Sequence, residues 1–208
     1  MSTTLKDNSH DRRAQILDAA IACFAKRGFH LTSMHDISAE AGISVGLIYR
    51  YFENKEAVIA AMAERHKSQI HEVLQQAAQA PSLQESLEIL FTAHCCDEPK
   101  LQSAFVVDLY AEASRNPKTA EIVLDVLDTA MSGVTDLIGR SPEGQAAASG
   151  MTPEQISELI FAVARGMLMR DVLQPVEMTA AERRARQLDV ARRLWRLLFT
   201  TETAPAYA

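Results

Sequence analysis

The first 80 residues contain no proline, and the seven prolines then fall at positions 81, 99, 117, 142, 153, 175 and 205. Proline fixes φ and lacks an N–H, so it is accepted in the first turn of a helix and breaks the interior. The spacing therefore divides the chain into separate helices. Capping signals fall at the same places. Ser82 with Glu85, Thr152 with Gln155 and Thr179 with Glu182 match the Ser/Thr-x-x-Glu/Gln box, in which each residue satisfies a free N–H of the other. Asn116 stands before Pro117 as a cap ahead of a first turn. No alternating β-branched run is bounded by Asn-Gly or Asp-Gly turns. An all-α chain of about nine helices is expected.

A length of 208 residues suffices for one or two domains and a core that needs neither metal nor disulfide. Three cysteines make no disulfide framework and suit a reducing compartment. The apolar run Leu159–Ala164 is stopped by Arg165, far short of a bilayer span, and the first ten residues lack the apolar stretch of a secretory signal. A cytoplasmic protein with no membrane partner is expected. The net charge of −6 is unevenly spread. Residues 1–67 carry nine Lys/Arg against eight Asp/Glu, residues 68–150 four against twelve, and residues 151–208 eight against seven. Phosphate binding depends on Lys and Arg, so the acidity argues against nucleic acid only for the middle of the chain.

The first helix is expected from about Asp11 to Lys26, with Ile16, Leu17, Ala20, Ile21 and Phe24 at helical spacing and Gly28 beyond its end. Residues 153–173 are apolar in nearly every direction, which demands cover on both sides, one of them a second subunit. The last helix, about Ala180 to Phe199, places Leu188, Ala191, Leu194, Trp195 and Leu198 on one stripe. Gly139, Gly144 and Gly150 mark the segment between as the longest mobile loop.

Residues 28–55, GFHLTSMHDISAEAGISVGLIYRYFENK, read as two short helices joined by a tight turn. Thr32 or Ser33 caps the first, and Met34, Ile37, Ser38 and Ala41 face inward. Gly42 stands where a left-handed residue ends that helix, and Ile43 plugs the space between the two. Ser44 caps the second helix, Val45 to about Phe52. This is a helix-turn-helix layout, whose second helix enters the DNA major groove. Gly46 lets the backbone approach a neighbour closely. Tyr49, Arg50 and Tyr51 point about 100° apart and cannot all be buried; their polar tips suit phosphate oxygens. Asn54 caps the next helix, and Lys55 with that helix's free N–H groups suits a backbone phosphate.

The run Thr32-Ser33, Ile37, Ala41-Gly42-Ile43-Ser44, Gly46, Tyr49, Tyr51-Phe52 and Lys55 resembles the helix-turn-helix signature of the TetR (tetracycline-repressor-like) family. The likeness reaches back through Ile16, Ala19-Ala20 and Phe24. It implies a flexible arm over residues 1–10, a DNA-binding domain over 11–65, a helical effector-binding and dimerisation domain over 66–203 and a tail over 204–208. It also implies a homodimer formed through the last two helices, and double-stranded operator DNA released by an unknown small-molecule effector. Within the head, Tyr49 and Lys55 become phosphate contacts, and Ser44, Val45, Gly46 and Leu47 face the groove. Tyr51 is partly a packing residue. Val45 and Leu47 are apolar where many members are polar, which shifts base readout toward Arg50, His35 and van der Waals contact; Thr32 and Ser33 are also expected among the DNA-binding residues. The effector is expected among Phe91, Phe105, Leu109, Val123, Leu127, Met131 and Phe161, with the helix from Lys55 to about Gln79 as the lever between head and pocket.

Other features carry rival readings. His94-Cys95-Cys96-Asp97 has no second cluster with zinc-site spacing, which leaves core packing or, alternatively, a redox or soft-metal sensor. Glu112 lies on the apolar face of a helix from about Lys100 to Asn116, where a carboxylate must be paired. Its partner is expected to be Arg165 or Arg170, or else a cationic effector. The six arginines between Arg183 and Arg196 are expected to form a solvated or ion-paired face. No catalytic motif is found: the 139–144 run has Gln145 in place of the phosphate-loop lysine. The sequence thus points to a non-enzymatic regulator without cofactor or metal. An activator without a small-molecule ligand is the alternative within that class.

Overall fold

A computed structural model describes residues 3–93, 100–147, 149–173 and 179–199. His94-Cys95-Cys96-Asp97 lies outside the described residues. Among those described, ten helices and no strand occur: α1 (Thr3–Arg27), α2 (Met34–Glu40), α3 (Val45–Ile48), α4 (Lys55–Ala77), α5 (Leu83–Phe91), α6 (Lys100–Ala113), α7 (Pro117–Arg140), α8 (Pro142–Gln145), α9 (Pro153–Leu173) and α10 (Ala180–Phe199).

The caps form as the sequence predicts. Ser82 Oγ accepts from the Glu85 N–H at 3.2 Å. Thr152 donates its N–H to Gln155 at 3.0 Å, and Thr179 to Glu182 at 2.7 Å. Asn116 Oδ1 accepts from the Lys118 and Thr119 amides. Three elements differ from expectation. α1 begins at Thr3, ahead of the expected Asp11; its first residues lack an apolar stripe, but no glycine or proline interrupts them. α3 stops at Ile48 instead of Phe52. Arg50 and Tyr51 donate to Leu47 and Ile48, three residues back, so the chain tightens into a 3₁₀-like turn before α4 starts. The glycine-rich segment expected to be a loop holds α8, where Ser141 Oγ accepts from Gly144 N–H at 2.9 Å and Gly144 packs on the Ile138 carbonyl.

The chain divides into two compact units, each with its own apolar core. The first comprises residues 1–68 and 99–127, so it contains α1 to α3 and α6, and α4 and α7 contribute residues to both units. Its core is Ile16, Ala20, Phe24, Phe29, Ile37, Ile48, Phe52, Val58, Ile59 and Phe105. Phe24 stacks on Phe105, with ring centroids 5.6 Å apart and planes 13° apart. The second unit, residues 69–98 and 128–208, buries Leu83, Leu87, Phe91, Ile138, Ile156, Ala191, Trp195 and Leu198. The Trp195 ring meets Phe91 edge-on at 6.0 Å. Ion pairs cover its outer face as expected: Arg192 binds Glu88 at 2.7 Å, and Arg193 binds Asp189 at 2.9 Å. None of the described helices is long and apolar enough to cross a membrane.

Candidate nucleic-acid interface

The first unit arranges α2, α3 and the start of α4 around one exposed surface. α2 is fixed at both ends. Ser33 Oγ accepts from the Asp36 N–H at 3.1 Å, and the Asp36 carboxylate accepts the Ser33 N–H at 2.8 Å. The Ser33 hydroxyl, which donates to the same carboxylate at 2.6 Å, and the Ser33 N–H hold the Asp36 carboxyl below the usual carboxylate range, aided by the Arg27 guanidinium at 2.6 Å. At the other end Gly42 takes φ +66°, and the Ile43 N–H reaches back to the Ser38 carbonyl at 3.0 Å. That closure needs a left-handed residue, which glycine supplies without a Cβ penalty. Ile43 then packs on the core, and Ser44 Oγ caps α3 by accepting from Leu47 N–H at 3.3 Å.

This local chemistry settles where each expected site residue stands. Ser33, His35, Ser44, Gly46, Tyr49 and Arg50 are exposed, with Tyr49 at 53%. Val45 and Leu47 are half-buried, and Val45 and Tyr51 pack against the core. Gly46 faces open space: a Cβ there would meet nothing within 4 Å. Thr32 is buried, and its hydroxyl donates to the Gly28 carbonyl at 2.8 Å. Lys55 is oriented by the protein itself: its Nζ donates to the Phe29 carbonyl at 2.8 Å and lies 4.4 Å from the Phe29 ring centroid. An ammonium has three N–H donors, so two stay available. His30, Ser33, Tyr49, Asn54 and Lys55 line one shallow groove. The groove brings the Ser33 and Tyr49 hydroxyls, the Asn54 amide and the Lys55 ammonium together beside Glu53 and Glu56, and the Arg50 guanidinium is exposed next to Tyr49 in sequence; these donors suit phosphate oxygens.

The residues expected to hold an effector fall in both units. Phe105 and Leu109 pack on the core of the first, and Val123 and Leu127 also belong to it. Phe91 and Phe161 pack in the second, which also holds Met131 and an exposed Arg165. Glu112 is buried in the first unit with His30 Nε2 at 2.6 Å from its Oε2. This corrects the expectation that Arg165 or Arg170 faces it. Periodicity shows that Glu112 needs a partner, but a loop histidine 82 positions away leaves no periodic trace. Among the described residues, no group of three or more His, Cys, Asp or Glu could hold a metal ion.

Comparison with known proteins agrees with this geometry. Residues 16–62 match the family model described as bacterial regulatory proteins, tetR family. The HTH-type transcriptional regulator UidR of Escherichia coli (strain K12) is 32% identical over 127 residues, 59% of this chain and 62% of UidR. The HTH-type transcriptional activator FasR of Mycolicibacterium smegmatis is 28% identical over 135 residues, 62% of this chain and 60% of FasR. The matches thus span less than two thirds of these relatives. The solved structure of Salmonella enterica GusR superposes with a TM-score of 0.74 and 26% identity, covering 90% of this chain and 95% of GusR.

Proposed function

We propose that the chain, whose residues 16–62 match the tetR family of bacterial regulatory proteins, is a member of that family and a homodimeric transcriptional repressor whose operator affinity falls when a small molecule binds its C-terminal helices. The observation that carries this reading is the oriented Lys55 ammonium in one groove with Tyr49, beside an α3 whose capped start, Ser44 and Gly46, and following Arg50 are exposed. The start of α3 enters the major groove, where Ser44, Val45, Gly46 and Leu47 approach base edges and Gly46 admits the closest contact. Tyr49 and Lys55 bind flanking phosphates, and Ser33, His35 and Arg50 line the edge of the contact. Thr32 acts from within by fixing the loop ahead of α2.

Met169, Leu173, Val190 and Leu197 leave apolar side chains exposed on α9 and α10, Leu173 at 72% and Leu197 at 76%. A second copy covers them in a four-helix bundle, and the two heads then read a roughly palindromic site with half-sites about 34–36 Å apart. The effector lies in the C-terminal helices, among Phe91, Met131 and Phe161 of the second unit. It acts by binding better to a conformation whose heads are misplaced. No cofactor or catalysis is involved, and the site of action is the cytoplasm.

Selection from a random duplex library with the purified chain tests this. Enrichment of a palindrome bound by a dimer is expected; a folded dimer that enriches nothing at low salt overturns the reading. Because FasR is named an activator, a reporter behind the selected site decides the sign of regulation. Repression is expected, and activation contradicts it.

A further inference from the structure

The loop joining α1 to α2 is held by a helix distant in sequence. Asp108 Oδ2 on α6 accepts the Phe29 N–H at 2.6 Å, across 79 positions. One turn further along α6, Glu112 Oε2 lies 2.6 Å from His30 Nε2. The Phe29 carbonyl accepts from Lys55 Nζ at 2.8 Å. Residue 29 is therefore tied through its N–H to α6 and through its C=O to the first residue of α4. Gly28, at φ +78°, sits so close that a Cβ there would stand 3.4 Å from the Asp108 carboxylate.

Glu112 is only 4% exposed. Its Oε1 accepts from Asn116 Nδ2 at 3.1 Å, whereas Oε2 is sealed from solvent with no aligned hydrogen bond, so the His30 imidazole, when protonated, is its counter-charge. A carboxylate in that position is costly without such a partner. The His30 side chain, by contrast, is 65% exposed and lines the groove shared by Ser33, Tyr49 and Lys55. One side chain thus connects a buried acid on α6 to the surface offered to DNA.

We propose that Asp108 and Glu112 are positioning residues for operator binding, and that the His30–Glu112 pair makes this positioning respond to protonation of His30. The proposal rests on the DNA-binding reading above. Histidine is the side chain whose charge ordinarily changes between about pH 5 and 8. With the imidazole charged, the pair holds residues 28–30, and with them Lys55, at the groove. With it neutral, Glu112 keeps its place in a sealed site with a weaker partner, and the loop loosens. The other charged groups about the loop are Arg27 at the end of α1 and Asp36 on α2, which pair with each other at 2.6 Å, Asp108 on α6, Glu53 ahead of α4, and Lys55 and Glu56 at its start. Operator affinity therefore falls when His30 gives up its proton.

The test is the dissociation constant of the full chain for its selected duplex, measured by fluorescence anisotropy from about pH 5.5 to 8. Wild type is compared with His30→Gln, Glu112→Gln and Asp108→Asn, each checked for folding by circular dichroism. Wild type is expected to lose about tenfold in affinity across the range, an ordinary size for coupling between sites. His30→Gln and Glu112→Gln flatten the profile, and Asp108→Asn weakens binding at every pH while keeping the slope. A flat wild-type profile overturns the proposal. So does a Glu112→Gln variant with the wild-type slope, since His30 then acts on phosphate directly. If Glu112→Gln does not fold, His30→Gln decides: a retained slope overturns the proposal. If wild type binds no selected duplex at any pH, the DNA-binding reading itself fails, and the inference with it.

Discussion

Gly46 and Gly144 both sit in four-residue helices, and the absence of a side chain serves them in opposite ways. Beyond Gly46 lies open space; a Cβ on Gly144 would stand 2.0 Å from the Ile138 carbonyl oxygen. Gly46→Ala should therefore raise stability by about 0.5–1 kcal/mol while weakening operator binding, because the added methyl occupies room left for base edges. Gly144→Ala should cost about 1–3 kcal/mol through overpacking. Thermal melts check both, and a Gly46→Ala variant that binds DNA normally removes that residue from the interface. Asp36 makes a third residue-scale prediction. Its carboxyl is held low by the Ser33 hydroxyl and amide, so its contribution to α2 is present at neutral pH and lost as pH falls through the lowered value. Amide exchange over α2 should accelerate in acid, and Asp36→Asn should remove that dependence. The box itself escaped the sequence template because Asp, not Glu or Gln, stands three residues after Ser33.

At the scale of elements, what could be read from the sequence was what is local. Caps, proline starts and the Gly42 turn involve groups a few residues apart, and the structure forms them where expected. α6 was harder. An amphipathic stripe shows that a face is covered but not by what, so Phe105 and Leu109 looked like pocket residues, yet they pack with Phe24 in the core of the first unit. The end of α3 and the presence of α8 were hidden for a different reason: 3₁₀-like closure and a buried glycine depend on carbonyl positions that side-chain spacing does not report. Phe105→Ala should cost about 3–5 kcal/mol and speed exchange of α1 amides, although it lies outside the helix-turn-helix. Ser82→Ala, which removes only a cap, should cost about 1 kcal/mol and leave α1 unchanged. Equal effects would contradict the placement of α6.

At the scale of the molecule, the sequence announced an unpartnered surface more clearly than it announced a ligand. Residues 153–173 were apolar all round, and Met169, Leu173 and Leu197 are exposed on α9 and α10. Leu197→Asp should leave each chain folded but shift sedimentation from dimer to monomer, with operator affinity lost as a consequence. The effector's contacts were less legible, because apolar side chains that line a pocket and those that fill a core obey the same periodicity. The most direct test of a paired-head repressor is a titration of the selected palindrome, with stoichiometry and salt dependence read together. Two protomers per site are predicted, with affinity falling steeply as salt rises and a log–log slope smaller by about one per lost phosphate contact in Lys55→Ala. One protomer per site, or an affinity indifferent to salt and to Lys55, would contradict it.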